Sequence, residues 1–226
     1  PDFGQVEADP YVLNLSAFET RLNEKRPFFV QGANFFSSWM RVFNSRRIGQ
    51  RPGFIEPDAG DIVDRPNETT ILSAAKILGQ TSTGVKYGII NAVTNQEYAS
   101  LELEKDGKIV KEDFLIEPYS NYFVGRVTKP FINELSAIGL MATDLKREGY
   151  SDVATSLKGD FLINLLDNKF SFTGEYGSTI NNDKTGFGGR YRISYRNPVL
   201  WELATWGGFY DDKWDVGAMG FQQKNN

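Results

Sequence analysis

"FSFTGEYGSTINNDKTGFGGRYRISYRNP", residues 170–198, alternates two kinds of side chain, turns, and alternates again. Before the turn Phe170, Phe172, Gly174 and Tyr176 share one parity, and Ser171, Thr173 and Glu175 the other. After it Phe187, Gly189, Tyr191, Ile193 and Tyr195 oppose Gly188, Arg190, Arg192, Ser194 and Arg196. A period of two is the mark of extended backbone, in which successive side chains point to opposite faces of a sheet. In water a face of alternating aromatics must pack on a second layer. In lipid it is simply the outside, with Tyr and Trp near the headgroups.

The same period dominates from Thr70 onward. It predicts strands over 70–79, 84–94, 96–105, 117–128, 134–145, 153–165, 169–179, 185–196, 199–210 and 213–223. Each is about as long as a tilted strand must be to cross a bilayer core, whereas strands of globular proteins average about five or six residues. Leu157, Phe161, Ile163 and Leu165 oppose Lys158, Asp160 and Asn164, and Trp201, Leu203 and Phe209 oppose Glu202. Trp206 and Tyr210 break the pattern by sharing the parity of Glu202. The expected fold is therefore all-β: an antiparallel up-and-down transmembrane β-barrel, with these strands forming part of a larger one. A soluble sandwich or open sheet is the competing reading.

Turn lengths suggest sidedness. Thr94-Asn95-Gln96, the segment 129–133, Leu166-Asp167-Asn168 and Asn197-Pro198 are short, while the other set includes the longer "DGKIVKEDFLI" (106–116), "KREGYSD" (146–152) and "INNDK" (180–184), although "QTST" (80–83) and "DDK" (211–213) in that set are short. Outer-membrane barrels keep their short turns in the periplasm. On that reading the start of the first strand, and the region before it, lie on the periplasmic side or in the lumen.

Composition removes whole classes of chemistry. The 226 residues contain no cysteine and no histidine, which excludes disulfides, thiolate metal sites, Ser-His-Asp triads and histidine general bases. A net charge of -4 provides no global field for nucleic acid. Mean hydropathy is -0.39 and no apolar run approaches a helical membrane span, so any membrane residence must use strands. "GFGGR" (186–190) lacks the lysine-serine ending of a phosphate loop and falls within a strand pattern, where glycines make room beside aromatics.

Residues 1–69 are patterned differently from 70–226 and are read as a separate irregular, plug-like segment preceding the barrel strands. "SAFETRL" (16–22) suggests a short helix, and "FIEPDAGDIVDRPNETT" (54–70) is turn chemistry. The oxygen-rich "EPDAGDIVD" (56–64) lacks the spacing of a calcium loop, so no metal is expected. "KRPFF" (25–29) and "SRRIG" (45–49) read as docking sites on the barrel wall rather than phosphate sites.

The stretches "PDFGQVEADPYVLNLSAFETRLNEKRPFF" (1–29), "SRRIGQ" (45–50), "GDIVDRPNETTILSAAKILGQT" (60–81) and "NYFVGRV" (121–127) carry a family likeness. They resemble the junction and first strands of a bacterial outer-membrane family that joins a carbohydrate-binding-module-family-nine-like domain to a C-terminal β-barrel domain of unknown function. The resemblance implies an outer-membrane location and a barrel of which this chain covers the junction and first part. It supplies no catalytic or sugar-binding residue for transfer.

The lumen-facing candidates by parity are Arg126, Lys158, Asp160, Glu175, Arg190, Arg192, Arg196 and Glu202, with Lys76, Lys86, Glu102 and Asp215 beside them. The lipid-facing candidates are Phe170, Phe172, Tyr176, Phe187, Tyr191, Ile193, Tyr195 and Trp201. Charges of both signs inside a barrel can tune permeation or hold a polar ligand. They can equally pair among themselves around a plug. Arg190, Arg192 and Arg196 could grip an anion, or pair with acids of the first region such as Glu7, Asp9, Glu19, Glu24, Glu56, Asp58, Asp61 and Asp64. The expected function is a non-enzymatic, cofactor-free outer-membrane conduit for polar or glycan-derived solutes. The alternative is a structural or partner-binding envelope protein with a plugged barrel. The partners expected are outer-membrane lipid, a glycan or polar solute, and other envelope proteins, but no nucleic acid.

Overall fold

The computed structural model describes residues 23–221 except 59, 106, 152, 182, 183 and 198. Eleven strands dominate it: β1 (Asp61–Asp64), β2 (Ile71–Gln80), β3 (Lys86–Thr94), β4 (Glu97–Lys105), β5 (Lys108–Glu117), β6 (Ser120–Phe131), β7 (Asn133–Arg147), β8 (Val153–Leu165), β9 (Phe170–Asn181), β10 (Lys184–Arg196) and β11 (Glu202–Tyr210). The helical content is two single turns, α1 (Pro27–Val30) and α2 (Ala33–Phe36), and a 3-10 turn over Ser45–Arg47. The fold is all-β and antiparallel.

Eight strands form one sheet in the order β11-β10-β9-β8-β7-β6-β3-β2, and β1-β4-β5 form a second. The large sheet is open, since β2 and β11 are its two ends and do not pair with each other. Its register obeys the alternation of the opening stretch: Arg190 lies opposite Glu175, Tyr191 opposite Gly174, and Ile193 opposite Phe172.

Two expectations about the strands are corrected. The segment 96–105 does not continue the meander: β4 leaves the large sheet, pairs with β5, and β3 pairs with β6 instead. Residues 106–116 are accordingly no loop, because β5 pairs with β4 from Lys105↔Lys108 to Glu97↔Glu117 around a two-residue turn that contains Gly107 at φ 72°. An Asp-Gly pair between extended segments is a strong hairpin signal. Charges such as Lys111, Glu112 and Asp113 hid it. The second correction concerns 213–223, of which the described part, up to Phe221, makes turns and no strand. Asp211 accepts from the Lys213 N–H and Asp215 from the Gly217 N–H, local bonds that bend the chain before it can pair. "FIEPDAGDIVDRPNETT" is likewise not all turn, since Asp61–Asp64 forms β1. The helix expected over 16–22 lies outside the described residues.

With β4 and β5 set aside, the connections sort differently. The short turns 81–85, Ile132, 166–169 and 197–201 all lie at one end of the large sheet. The opposite end carries the small sheet, the five residues 148–152, the two residues between β9 and β10, and the segment after β11, together with the start of β2, so that connection length does not separate the two ends. The first strand of the large sheet thus begins at the end that carries the small sheet, because Ile71 pairs with Thr94 and the chain leaves Thr94 for the small sheet.

One face of the large sheet is covered. Phe29, Phe36, Met40, Val42 and Ile48 of the N-terminal segment, and Trp214, Val216 and Met219 after β11, form one core with Ile90, Ala92, Tyr122, Val124, Met141 and Leu145 of the strands. Burying each such aliphatic or aromatic side chain contributes about 1.5–3 kcal/mol before the entropy of ordering is subtracted. We call this the inner face.

Candidate functional site

The inner face carries a line of charges across β6, β8, β9 and β10. The Lys158 ammonium is fully enclosed, 0% exposed, at 2.7 Å from Asp160 Oδ1 and 3.3 Å from Glu175 Oε1. Lys158 and Asp160 share a face because they are two apart on β8, and Asp160 pairs in register with Glu175 of β9. Arg126 Nη2 donates to both oxygens of Asp160 at 3.0 Å. This reach crosses β7, where Gly139 stands opposite Asp160 and a β-carbon would lie 2.5 Å from the Asp160 carboxylate.

Two cations and two anions therefore compensate one another, and apart from Arg126 Nε, which is buried without a hydrogen-bond partner, much of what they do not use on each other they spend on main chain. Arg126 Nη1 donates to the Ser37 carbonyl at 2.8 Å. Glu175 accepts the N–H groups of Trp39 and Met40 at 3.1 and 2.8 Å. Arg190 Nη1 donates to the Trp39 carbonyl at 3.2 Å. Lys76 of β2 donates to the carbonyls of Phe28 and Gln31. Buried charge is tolerated where it is paired and its remaining hydrogen-bonding positions are filled, and here the backbone of 28–40 fills several of them.

Arg192 and Arg196 lie on the same face but farther along, where their side chains are exposed. They pair with Glu202 of β11 at 2.9 and 3.1 Å. Among the described residues, neither they nor Arg190 meets an acid of the first region. Glu24 and Glu56 instead bond within that region, to Arg26 and Arg65, and Glu7, Asp9 and Glu19 lie outside the described residues. "KRPFF" and "SRRIG" bond to each other: Arg26 donates to the carbonyls of Ile48 and Ser45 at 2.7 and 2.8 Å. Burial raises the pKa of Glu24, but the hydrogen bonds of Arg26 and Ser45 and the Arg26 charge outweigh it, so its carboxyl stays below the ordinary glutamate range.

All eight lumen-facing candidates share the inner face, and the structure gathers Arg126, Lys158, Asp160, Glu175 and Arg190 into one network. Glu102 is not among them, because β4 belongs to the small sheet, where Glu102 meets Lys111 at 3.4 Å. Asp215 follows β11 and accepts from the Asn181 amide at 3.0 Å. Lys86 has inner parity at the end of β3. Trp206 and Tyr210 are inner-face residues as their parity requires. Tyr210 packs on Trp214 with ring centroids 5.4 Å apart, whereas Trp206 is 72% exposed.

The opposite face carries Phe170, Phe172, Tyr176, Phe187, Tyr191, Ile193, Tyr195 and Trp201. Their rings interlock along the sheet: Phe161 with Phe172 at 4.8 Å, Tyr176 with Phe209 at 6.2 Å, and Tyr195 with Trp201 at 5.5 Å. Ile77, Ile89, Val127, Leu140, Leu157, Tyr176, Tyr191, Leu203 and Phe209 are all exposed there. Among the described residues no helix is long and apolar enough to cross a membrane, and no group of three or more acidic side chains could hold a metal ion.

What sequence reasoning missed is the partner of the network. Main-chain carbonyls and amides leave no residue-type signal, so Ser37, Trp39 and Met40 could not be named. Gly139 carried the only local hint, a missing side chain opposite a charged position.

No curated protein and no solved structure matches the chain. Over residues 1–226 it matches the family described as "Domain of unknown function (DUF5916)", and the chain belongs to that family.

Proposed function

We propose that the large sheet is the wall of a β-barrel in a bacterial outer membrane, and that the chain is a non-enzymatic envelope protein whose N-terminal segment plugs the lumen. The observation that carries this reading is the contrast between the two faces. One presents exposed Ile, Leu, Val and aromatic side chains on strand after strand, with no layer packed on it among the described residues. The other holds the buried charges of the large sheet, Lys158 and Glu175, and the docked segment. A face so apolar needs lipid or a further protein layer, and strands of 9 to 15 residues in β6 to β11 are long enough to span a bilayer core. The carbohydrate-binding-like domain implied by the resemblance would make a glycan the ligand presented at such a plugged wall.

A conduit for polar solutes is the second reading, favoured by the uncovered inner face at Arg192, Arg196 and Glu202. Planar-bilayer conductance separates the two: an electrically silent folded protein supports the plug, and solute-dependent currents support the conduit.

The membrane reading itself is tested by folding the chain into lipid vesicles and following protease protection. Ile193→Arg places a charge on the apolar face and should cost about 2–4 kcal/mol of insertion free energy near the bilayer midplane, less toward an interface. Arg192→Ser, one residue away on the inner face, should insert like the parent. A parent chain that stays soluble and unprotected, or the reverse ranking of the two variants, defeats the proposal.

A further inference from the structure

At the end of the large sheet that carries the small sheet, a cleft of about 390 Å³ opens between Arg51, Phe54, Glu56, Arg65, Glu117 and Arg147. Its charges are not equally committed. Arg65 donates to the Pro52 carbonyl and to both oxygens of Glu56, so that pair is closed. Arg65 hydrogen bonds and charge hold the Glu56 carboxyl below its ordinary range, which keeps it an anion matched to that arginine. Glu117, 3% exposed, spends one oxygen on the N–H groups of Gly53 and Phe54 at 3.2 and 3.1 Å.

Arg147 is different. Its side chain is 9% exposed, its Nε stands 4.0 Å from the nearest Glu117 oxygen, beyond a hydrogen bond, and that buried Nε has no hydrogen-bond partner. The guanidinium lies over the Phe54 ring at 4.1 Å, and Phe54 in turn meets Tyr150 edge-on at 5.0 Å. A buried guanidinium N–H left without an acceptor costs free energy unless something supplies one. Across the cleft Arg51 is exposed and makes no hydrogen bond among the described residues. Three guanidiniums face two carboxylates, and both carboxylates are engaged.

We propose that this cleft binds a small polar molecule through an oxyanion, a carboxylate or a phosphate, held by Arg147 and Arg51 with Phe54 as the apolar wall. Planar guanidinium forks match such oxygens in pairs. The volume exceeds that of a bare ion and lies in the range of small-molecule sites. The site stands at the end of the sheet, so it is independent of whether the sheet lies in a membrane.

The test is isothermal titration of the full folded chain with glucuronate, inorganic phosphate and, as the neutral counterpart, glucose. Saturable binding of glucuronate or phosphate but not glucose is expected, and which anion binds identifies the oxyanion. Arg51→Gln, at an exposed position that cannot disturb the core, should weaken binding about tenfold, the effect of one charge-assisted hydrogen bond. Arg147→Lys keeps the charge beside Glu117 while removing the planar fork, and should also weaken binding in a protein that still folds. The proposal is overturned if neither anion binds at millimolar concentration, if glucose binds as well as glucuronate, or if both variants bind like the parent.

Discussion

Lys158→Met isolates what holds the N-terminal segment against the sheet. The substitution keeps length and apolar volume but removes the fully enclosed ammonium, leaving Asp160 and Glu175 facing one another across β8 and β9. Breaking a buried pair by deleting one partner costs about 3–5 kcal/mol, because the remaining charge keeps its desolvation penalty. Asp160 retains both bonds from Arg126, and Glu175 retains the amides of Trp39 and Met40, so the low end, about 3 kcal/mol, is expected. With a urea slope of about 2–3 kcal/mol/M, that is a fall of about 1–1.5 M in the unfolding midpoint. Trp39 and Trp214 fluorescence report the change from within the docked segments. The double variant Lys158→Met, Glu175→Gln restores neutrality, since one cation and one anion leave together, and should recover a large part of the loss. A midpoint within about 0.2 M of the parent for the single variant, or a double variant whose cost is the sum of the two single costs, would refute the coupled network.

Two further outcomes follow from the same geometry. A β-carbon at Gly186 would lie 2.3 Å from main-chain atoms of Lys213 and Trp214, which cannot swing aside as a side chain could, so Gly186→Ala should destabilise by about 1–3 kcal/mol and expose Trp214 to quenchers; Gly159→Ala, with nothing nearer than 3.9 Å, should behave like the parent. Because the folded pKa of Glu24 is depressed, its contribution to stability is present above about pH 4.5 and is lost as pH falls through the folded value. An acid titration should therefore show the parent exceeding Glu24→Gln in stability at neutral pH, with the gap closing below about pH 4.5, and a gap that widens on acidification would contradict the pairing with Arg26.

Much of the wall was legible from residue order alone. Period two assigned β6 to β11 and told inner from outer side chains, because a strand has only two faces and the next residue must take the other. Even Trp206 and Tyr210, which spoiled the apolar pattern, obeyed the parity rule. The departure of β4 was not legible: its alternation is as regular as that of its neighbours, and which strand pairs with β3 is decided by what each edge finds in space. Periodicity reports extension, not partner. The turn at Gly107 was available as a local signal and was masked by the charges of β5.

Sequence by itself determined the all-β class, the facing of the sheet and the exclusion of histidine and cysteine chemistry, since these depend on residue type and on a local two-fold repeat. Tertiary structure alone decided that, among the described residues, the inner charges bind the backbone of 28–40 and each other rather than acids of the first region. It also decided that the chain after β11 returns to the inner face, and that Arg147 is left facing a cleft. Each of these depends on main-chain groups brought together from distant positions, and a peptide carbonyl or amide is the same whatever residue carries it.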